Sequence, residues 1–528
     1  MRTPVLKAIS LIRTPFSRSY CECSGSGSNR TGLVLGTYQP ETSCHETGST
    51  EFKFTPTGVK FNEETGGKLK DLVQGAGIRK GCAHVFTNVS NDFAAVAVAG
   101  LGPEGLGWNE IEVLDECKEN IRIATAHGTR ALQDEGMSNI LVEPFTNTEA
   151  AAESAFLSVW RYQELKNKQK QLATPRLDLY GESDKDGWER GKLKSGNQNL
   201  ARKLEDTPAN LMTPTIFAEN AVDLLCPCGV SVEVRDKDWI EEKRMNPFLT
   251  VAKGSCEPPL FLEVGYCGGP IEGQPIVLVG KGITFDTGGM CLKKCEHMSE
   301  YRADLAGAAV VLAVIKTAAQ MVLPMNIFGL IPLCENMLGG LAMKPGDVVI
   351  ASNGKSITIE DTDNEGRLTL IDALNYSHFF KPCAVVCVST IADGVRRNLG
   401  TSSSATFSTS QALWRELERA GGETGDRLWR LPFWKVYQHR ITTDYLNVDV
   451  HNVGKNGISG DVCKAAAFLL EFMSVKDFVH IDISGTGKLS NGVGHPYLRE
   501  GTMTGRPTRT LVQFLYQIAC PHTRGDEC

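Results

Sequence analysis

The sequence predicts an α/β protein in two parts: a small N-terminal α/β domain, then a larger domain with a mainly parallel or mixed sheet flanked by helices. Three observations predict it. The chain has 528 residues, more than one hydrophobic core ordinarily serves. Through its second half, apolar β-branched runs alternate with helical stretches, which implies βαβ units. No internal repeat or low-complexity block breaks that alternation.

In chain order, the first segment is MRTPVLKAISLIRTPFSRSYCECSGSGSNRTG. Arg2, Lys7, Arg13 and Arg18 are spread among apolar and hydroxyl residues, and no acid precedes Glu22. This Arg-rich, acid-poor pattern is that of a mitochondrial transit peptide, whereas a secretory signal needs an apolar stretch unbroken by Lys7 and Ser10. Arg18-Ser19-Tyr20 resembles a matrix-protease cleavage site. Residues 1–31 are therefore expected to be a transit peptide and flexible leader, placing the protein in the mitochondrial matrix. If they are only a tail, the location is cytoplasmic.

Residues 32–180 form the expected small domain, with strand-like runs at 58–61, 93–98 and 140–144 and helical ones at 110–132 and 147–168. The Gly/Asp-rich polar stretch that follows predicts a linker at 181–196. Residues 197–528 form the larger domain. PIVLVGKG, MNIFGLIPL, PCAVVCVST and FVHIDISG read as buried strands, with helices at 306–320 and 367–379 between them. The longest apolar run, 305–315, stops at Lys316, short of the roughly 18–20 residues that cross a bilayer. It predicts a buried helix, and no membrane partner.

Composition narrows the function. A hydrophobic fraction of 41% with 22% charged residues is that of a folded globular protein. A formal net charge of −7 argues against a nucleic-acid partner. The 17 cysteines are odd in number and include no CxxC, so free, mostly structural thiols in a reducing compartment are expected. Cys21/Cys23 and Cys226/Cys228 are CxC pairs without further context. Cys383 and Cys387 lie in a strand-like run, where a thiol packs as a small hydrophobe.

The chemistry does not come from short signatures. HExxH, GxSxG and GxxxxGK[ST] are absent, and Gly485-Thr486-Gly487-Lys488 lacks phosphate-loop spacing. The 10 histidines are scattered. Carboxylates are more informative. Asp361, Asp363 and Glu365 alternate directly after a strand-like run at 356–359, and alternate acids repel unless a cation sits among them. DTDNEGRLTLID nearly fits an EF-hand loop, but the segment before it is strand-like rather than helical. A solvated acidic turn is the other alternative for this segment alone, behind a divalent cation. A second cluster favours a cation: VGKGITFDTGG brings Lys281 and Asp286 to a strand end, and CLKKCEHMSEYRADLAGAA brings Lys293 and Asp304. Open α/β sheets place ligands at such strand ends. Two cations bridging a water would supply hydroxide near neutral pH, and a protonated lysine would stabilise a developing oxyanion.

These blocks, with DTDNEGRL, GTMTGRPTRTLVQF and NQNLARKLEDTPANLMTP, resemble the leucine aminopeptidases, the cytosol aminopeptidase family. The likeness runs from about 197 to 515. The resemblance implies an aminopeptidase that removes N-terminal residues from peptide substrates, assembled as a homohexamer with two divalent metal ions, zinc or manganese, per subunit. It assigns Lys281, Asp286, Asp304, Asp363 and Glu365 to the metals, with Asp286 and Glu365 bridging. Lys293 matches the lysine that polarises the scissile carbonyl, and Arg367 the arginine that holds a bicarbonate acting as general base.

The chain also departs from the family. NTDAEGR becomes DTDNEGR, which adds the charge of Asp361 and the bulk of Asn364. In the pocket for the substrate's first side chain, Tyr301 and Gly487 stand where methionines are usual. Near Thr390, Asp393 replaces a glycine. Such a pocket is more polar than one built for leucine, and a basic or polar first residue is the expectation. A mitochondrial leader with altered motifs resembles the insect sperm leucyl-aminopeptidases, several of which look catalytically degenerate. The second reading is accordingly a weak or inactive homologue serving as a structural hexamer.

Overall fold

The computed structural model describes residues 30–39, 51–181, 183–442, 447–454, 459–492 and 494–521. The expected leader falls outside them except for its last two residues, as do Cys21 and Cys23.

The small domain is built on strands β1 (Thr31–Tyr38), β2 (Ala83–Thr87), β3 (Ala95–Gly102), β4 (Asn139–Val142) and β5 (Arg176–Leu179). Their order is β2-β3-β1-β4-β5. β1 runs parallel to β3 and β4, and β2 is antiparallel to β3. Both faces are covered, because residues alternate along β1: Leu33 and Leu35 pack into one cluster and Val34 into the other. Helices α1 (Glu116–Asp134) and α2 (Thr148–Val159) cover the Val34 face. Both begin where a side chain satisfies an orphan amide, Asp115 accepting from Lys118 N and Asn147 from Ala150 N.

Two local expectations are corrected here. Residues 58–61 belong to the helix Pro56–Glu64, not to a strand. Thr55 caps it by accepting from the Gly58 amide, and Pro56 sits at its first position, a start signal that outweighs a short apolar run. The helix expected at 147–168 stops at Val159.

The stretch expected as a linker at 181–196 is largely helical. Helix α3 (Lys185–Asp206) starts at the Asp184 cap, and its polar residues are used in packing. Gly191 lies where α3 meets α2, and a Cβ there would come within 2.4 Å of the Glu149 carbonyl oxygen. The buried Lys194 pairs with Glu149. Glycine and lysine that looked like linker composition are a helix contact and a buried ion pair.

The larger domain carries strands β6 (Ser231–Arg235), β7 (Leu260–Cys267), β8 (Ile276–Gly280), β9 (Gly282–Asp286), β10 (Asn326–Asn336), β11 (Ala384–Ser389), β12 (Ser404–Ser408), β13 (Leu428–Arg430) and β14 (Phe478–Asp482). The sheet order is β13-β12-β14-β11-β8-β10-β7-β6, with β9 paired to β10. Its centre, β10-β8-β11-β14, is parallel, and antiparallel pairs flank it. The expected mixed α/β architecture is what the chain forms. Ile276 and Leu278 of β8 pack in one core cluster with helix α4 (Ala306–Gln320). Val277 and Val279 pack in the other with α5 (Glu365–Tyr376). The apolar run at 305–315, all but Leu305 of it within α4, is wholly buried. Counted with the 3₁₀ turn before it, the segment Met298–Gln320 has the length and hydropathy of a membrane span, yet 83% of its most apolar 18-residue stretch is inside the protein.

Candidate active site

Lys281 and Asp286 stand where strands of the main sheet end, and the other charged groups lie in turns and helix starts beside them. β8 ends at Gly280 and delivers Lys281, and β9 ends on Asp286. Asp304 sits in the 3₁₀ turn Met298–Leu305 that leads into α4. Asp363 sits in the 3₁₀ turn Thr362–Asn364, and Glu365 opens α5 with Arg367 two residues further along. The close approach of these elements requires glycine. A Cβ on Gly307 would fall 2.2 Å from the Val388 carbonyl oxygen, so the start of α4 can touch the strand ends only without one.

Together these residues line a cleft of about 190 Å³. Lys281 Nζ lies 2.9 Å from Glu365, contacts Asp304 more closely, and donates to the Thr390 carbonyl at 2.8 Å. Thr390 Oγ1 donates to Asp304 at 2.6 Å. Lys293 Nζ lies 2.9 Å from Asp286, also contacts Asp363, and stands 4.0 Å from the centre of the Tyr301 ring. Asp286 is held by the Gly288 amide and by Asn336 Nδ2, both at 2.8 Å. The turn that follows needs left-handed backbone at Gly288 (φ +84°) and Gly289 (φ +63°). Thr362 then ties it down, donating to the Gly288 carbonyl and accepting from the Cys291 amide.

The electrostatics follow from burial and crowding. Burial pushes the Glu365 carboxyl well above its ordinary range, and Asp286 pushes it further. Burial raises Asp363 to about 7, against the pull of Lys293. Asp304 moves down instead, because Lys281 and Lys488 outweigh its desolvation. Burial alone would lower Lys281 and Lys293, but the acids around them raise both. Arg367, fully enclosed, falls to about 10.

The residues fit divalent cations. One carboxylate oxygen from each of Asp286, Asp363 and Glu365 lies within 4.8 Å of the other two. Both Glu365 oxygens are buried and accept no hydrogen bond among the described residues, Oε1 being ion-paired with Lys281. Three hard oxygen donors converging in this way are a cation's ligand set. The two departures in the acidic loop answer each other: Asn364 Nδ2 donates to Asp361 Oδ2 at 2.8 Å, and the Asp363 amide donates to Asp361 Oδ1 at 2.9 Å. The added carboxylate thus caps its own turn. Arg367 donates to the carbonyls of Asn452 and Ile391, while its buried Nε has no hydrogen-bond partner among the described residues.

Of the residues singled out from sequence, Lys281, Asp286, Lys293, Tyr301, Asp304, Asp363, Glu365, Arg367, Thr390 and Asp393 all line the cleft. Gly487 does not, which corrects that expectation. It is packed on Ile483, where a Cβ would lie 2.7 Å from the Ile483 side chain, and its neighbour Lys488 lines the wall instead. Ser484, Arg397 and Asp461 also line the cleft unanticipated. No local motif marks them, because separate turns and helices bring them together. A glycine in place of a side chain was the one available signal that something else fills the space.

Acids and lysines gathered at one end of an α/β sheet, with three carboxylates converging, define the class of metal-binding α/β proteins. Comparison with known proteins narrows it. Residues 199–512 match the catalytic domain of the cytosol aminopeptidase family, and residues 48–169 match that family's N-terminal domain. The cytosol aminopeptidases of Xenopus tropicalis and Homo sapiens are each 44% identical over 493 residues, covering 92% of this chain and 93% of theirs. That of Dictyostelium discoideum is 34% identical over 499 residues, covering 92% of each. A solved structure of the bottromycin maturation enzyme BotP in complex with Mn superposes with a TM-score of 0.76 at 25% identity, covering 93% of this chain and all of that one. The chain belongs to the cytosol aminopeptidase (leucine aminopeptidase) family, and that membership supports a metal-dependent aminopeptidase activity.

Proposed function

We propose that this chain hydrolyses the first peptide bond of peptides, using two divalent cations held by Lys281, Asp286, Asp304, Asp363 and Glu365. The observation that carries the reading is the convergence of Asp286, Asp363 and Glu365, with both Glu365 oxygens buried and, among the described residues, only Lys281 ion-paired with them, 2.9 Å from Oε1. When bound, divalent cations supply a water acidic enough to ionise near neutral pH and a Lewis acid for the carbonyl. BotP was solved with Mn, so manganese is a reasonable cation to test beside zinc.

The chain's own residues do the rest. Lys293 stays protonated among its acids and presents an ammonium to the carbonyl oxygen as negative charge develops there. Thr390 and Lys281 fix Asp304, while Asn336 and the Gly288 amide fix Asp286. Arg367, with its Nε unspent, is placed to hold a small anion such as bicarbonate that takes a proton from the attacking water. Tyr301, Asp393 and Ser484 make the first-residue pocket polar, so leucine is not its preferred occupant. The seven charged residues converge in one cleft, which favours turnover over a purely structural role.

The test is hydrolysis of a panel of aminoacyl-coumarin substrates by the protein with manganese or zinc, beside Lys293→Ala. Turnover lost in the variant is expected; no turnover in the wild type with metal bound and the assembly intact would favour the structural reading. We also propose the homohexamer, measurable by light scattering. Import into the mitochondrial matrix directed by residues 1–31, as in the sperm branch of the family, is a further proposal. It is testable with a fluorescent fusion of those residues.

A further inference from the structure

The wall of the cleft contains a lysine that the aminopeptidase reading does not use. Lys488 lies in the turn after β14 and is only 5% exposed. Its ammonium stands 4.0 Å from the centre of the Tyr301 ring, as does that of Lys293. The two amines are therefore at most twice that distance apart. Among the described residues the Lys488 ammonium makes no hydrogen bond and no ion pair. Asp304, the nearest acid in charge terms, is committed to Lys281 and Thr390. Asp393, the other acid that Lys488 senses, is solvent-exposed and forms no ion pair with it.

We propose that Lys488 is a specificity-determining residue that receives the side-chain carboxylate of an acidic first residue, so that peptides beginning with glutamate or aspartate are preferred. This rests on the aminopeptidase reading given above. A buried ammonium has lost most of its water and gains strongly from an anion within hydrogen-bond reach. A leucine side chain in the same place would cover it with nothing to pair, which costs binding. Asp393 opposes an acidic guest, but it is hydrated and its repulsion is screened. A basic guest would meet the opposite balance: attraction to an exposed carboxylate, repulsion by a desolvated ammonium. The ring of Tyr301 keeps the lysine chain in place, since both amines lie within cation–π range of it. Gly487 packs closely on Ile483, and Lys488, the next residue in the turn, lines the cleft.

The experiment measures kcat/KM on dipeptides beginning with Glu, Asp, Gln, Leu and Lys, with manganese added, for the wild type, Lys488→Met and Lys488→Arg. The same proteins are titrated calorimetrically with free glutamate and free leucine. Glutamate first in the wild type is expected, kept in Lys488→Arg, with the Glu-to-Leu ratio falling by at least about tenfold in Lys488→Met. A wild type that prefers Gln, Leu or Lys, or a ratio unchanged in Lys488→Met, would overturn the proposal. If Lys488→Met does not fold, the wild-type ranking decides alone. If no peptide is cleaved, the aminopeptidase reading itself fails, and the titration then decides the pocket. Tighter glutamate binding that depends on Lys488 upholds the anion site, and equal binding of glutamate and leucine overturns it.

Discussion

Lys293 is the residue on which turnover should depend most directly. It lies beside Asp286 and Asp363, against Tyr301, with its ammonium facing the cleft. Removing a preorganised donor to a developing oxyanion costs about 10²–10³ in rate. Lys293→Ala is expected to lose at least a hundredfold in kcat, with its melting temperature measured alongside to exclude unfolding. A second residue, Glu143, bears on stability instead. Its carboxylate is buried in the small domain, accepting from the Gly36 amide and from Thr55 Oγ1. Burial raises its pKa from 4.5 to about 8. The unfolded chain thus gives up this proton first, and the contribution to stability, full below pH 4.5, is lost as pH rises toward 8. Glu143→Gln keeps an acceptor and removes the ionisation. Its stability in urea unfolding, measured against the wild type from pH 5 to 8, is expected to gain steadily on it, by at most a few kcal/mol at the upper end.

At the scale of elements, α3 shows how composition misleads. Its Lys, Asp and Gly content reads as a linker, whereas Gly191 permits contact with α2 and Lys194 is paired inside. Gly191→Ala would place a methyl 2.4 Å from the Glu149 carbonyl oxygen and 2.8 Å from the Ala152 Cβ. Because backbone cannot give way cheaply, the two helices must separate, at a cost of about 1–3 kcal/mol despite alanine's better helix propensity. Urea unfolding of the variant and the wild type would read it; a stabilised variant would contradict the contact. Helix α4 shows the opposite case. Its apolar run was legible as a buried helix because every one of its faces meets protein, leaving no periodicity to misread.

For the whole molecule, the strand ends concentrate negative charge that only cations or lysines can balance. Manganese is expected to raise the melting temperature, by about 2.7 kcal/mol of stability at a hundredfold excess over its Kd. Glu365→Gln should lose most of that shift, and a chelator should reverse it in the wild type. Differential scanning calorimetry with and without the metal checks this independently of any peptidase assay. The larger domain was legible in the sequence because its central strands are buried on both sides and read as continuous apolar runs. The small domain was less so: residues 58–61 took helical form under a Thr-Pro start, a local signal that short apolar runs obscure.

By itself the sequence determined the α/β class, the alternation of β8, β10, β11 and β14 with helices, and twelve of the residues that line the cleft, Asp361 and Asn364 among them. These are properties that local hydrophobic patterning and contiguous charged motifs encode. Tertiary structure alone decided that Lys488, Ser484, Arg397 and Asp461 share that cleft, that Gly487 does not line it, and that Asp361 caps its own turn. The reason is physical. A pocket wall is assembled from turns far apart in the chain, and which side chain fills a vacated space depends on packing across elements that no single segment contains.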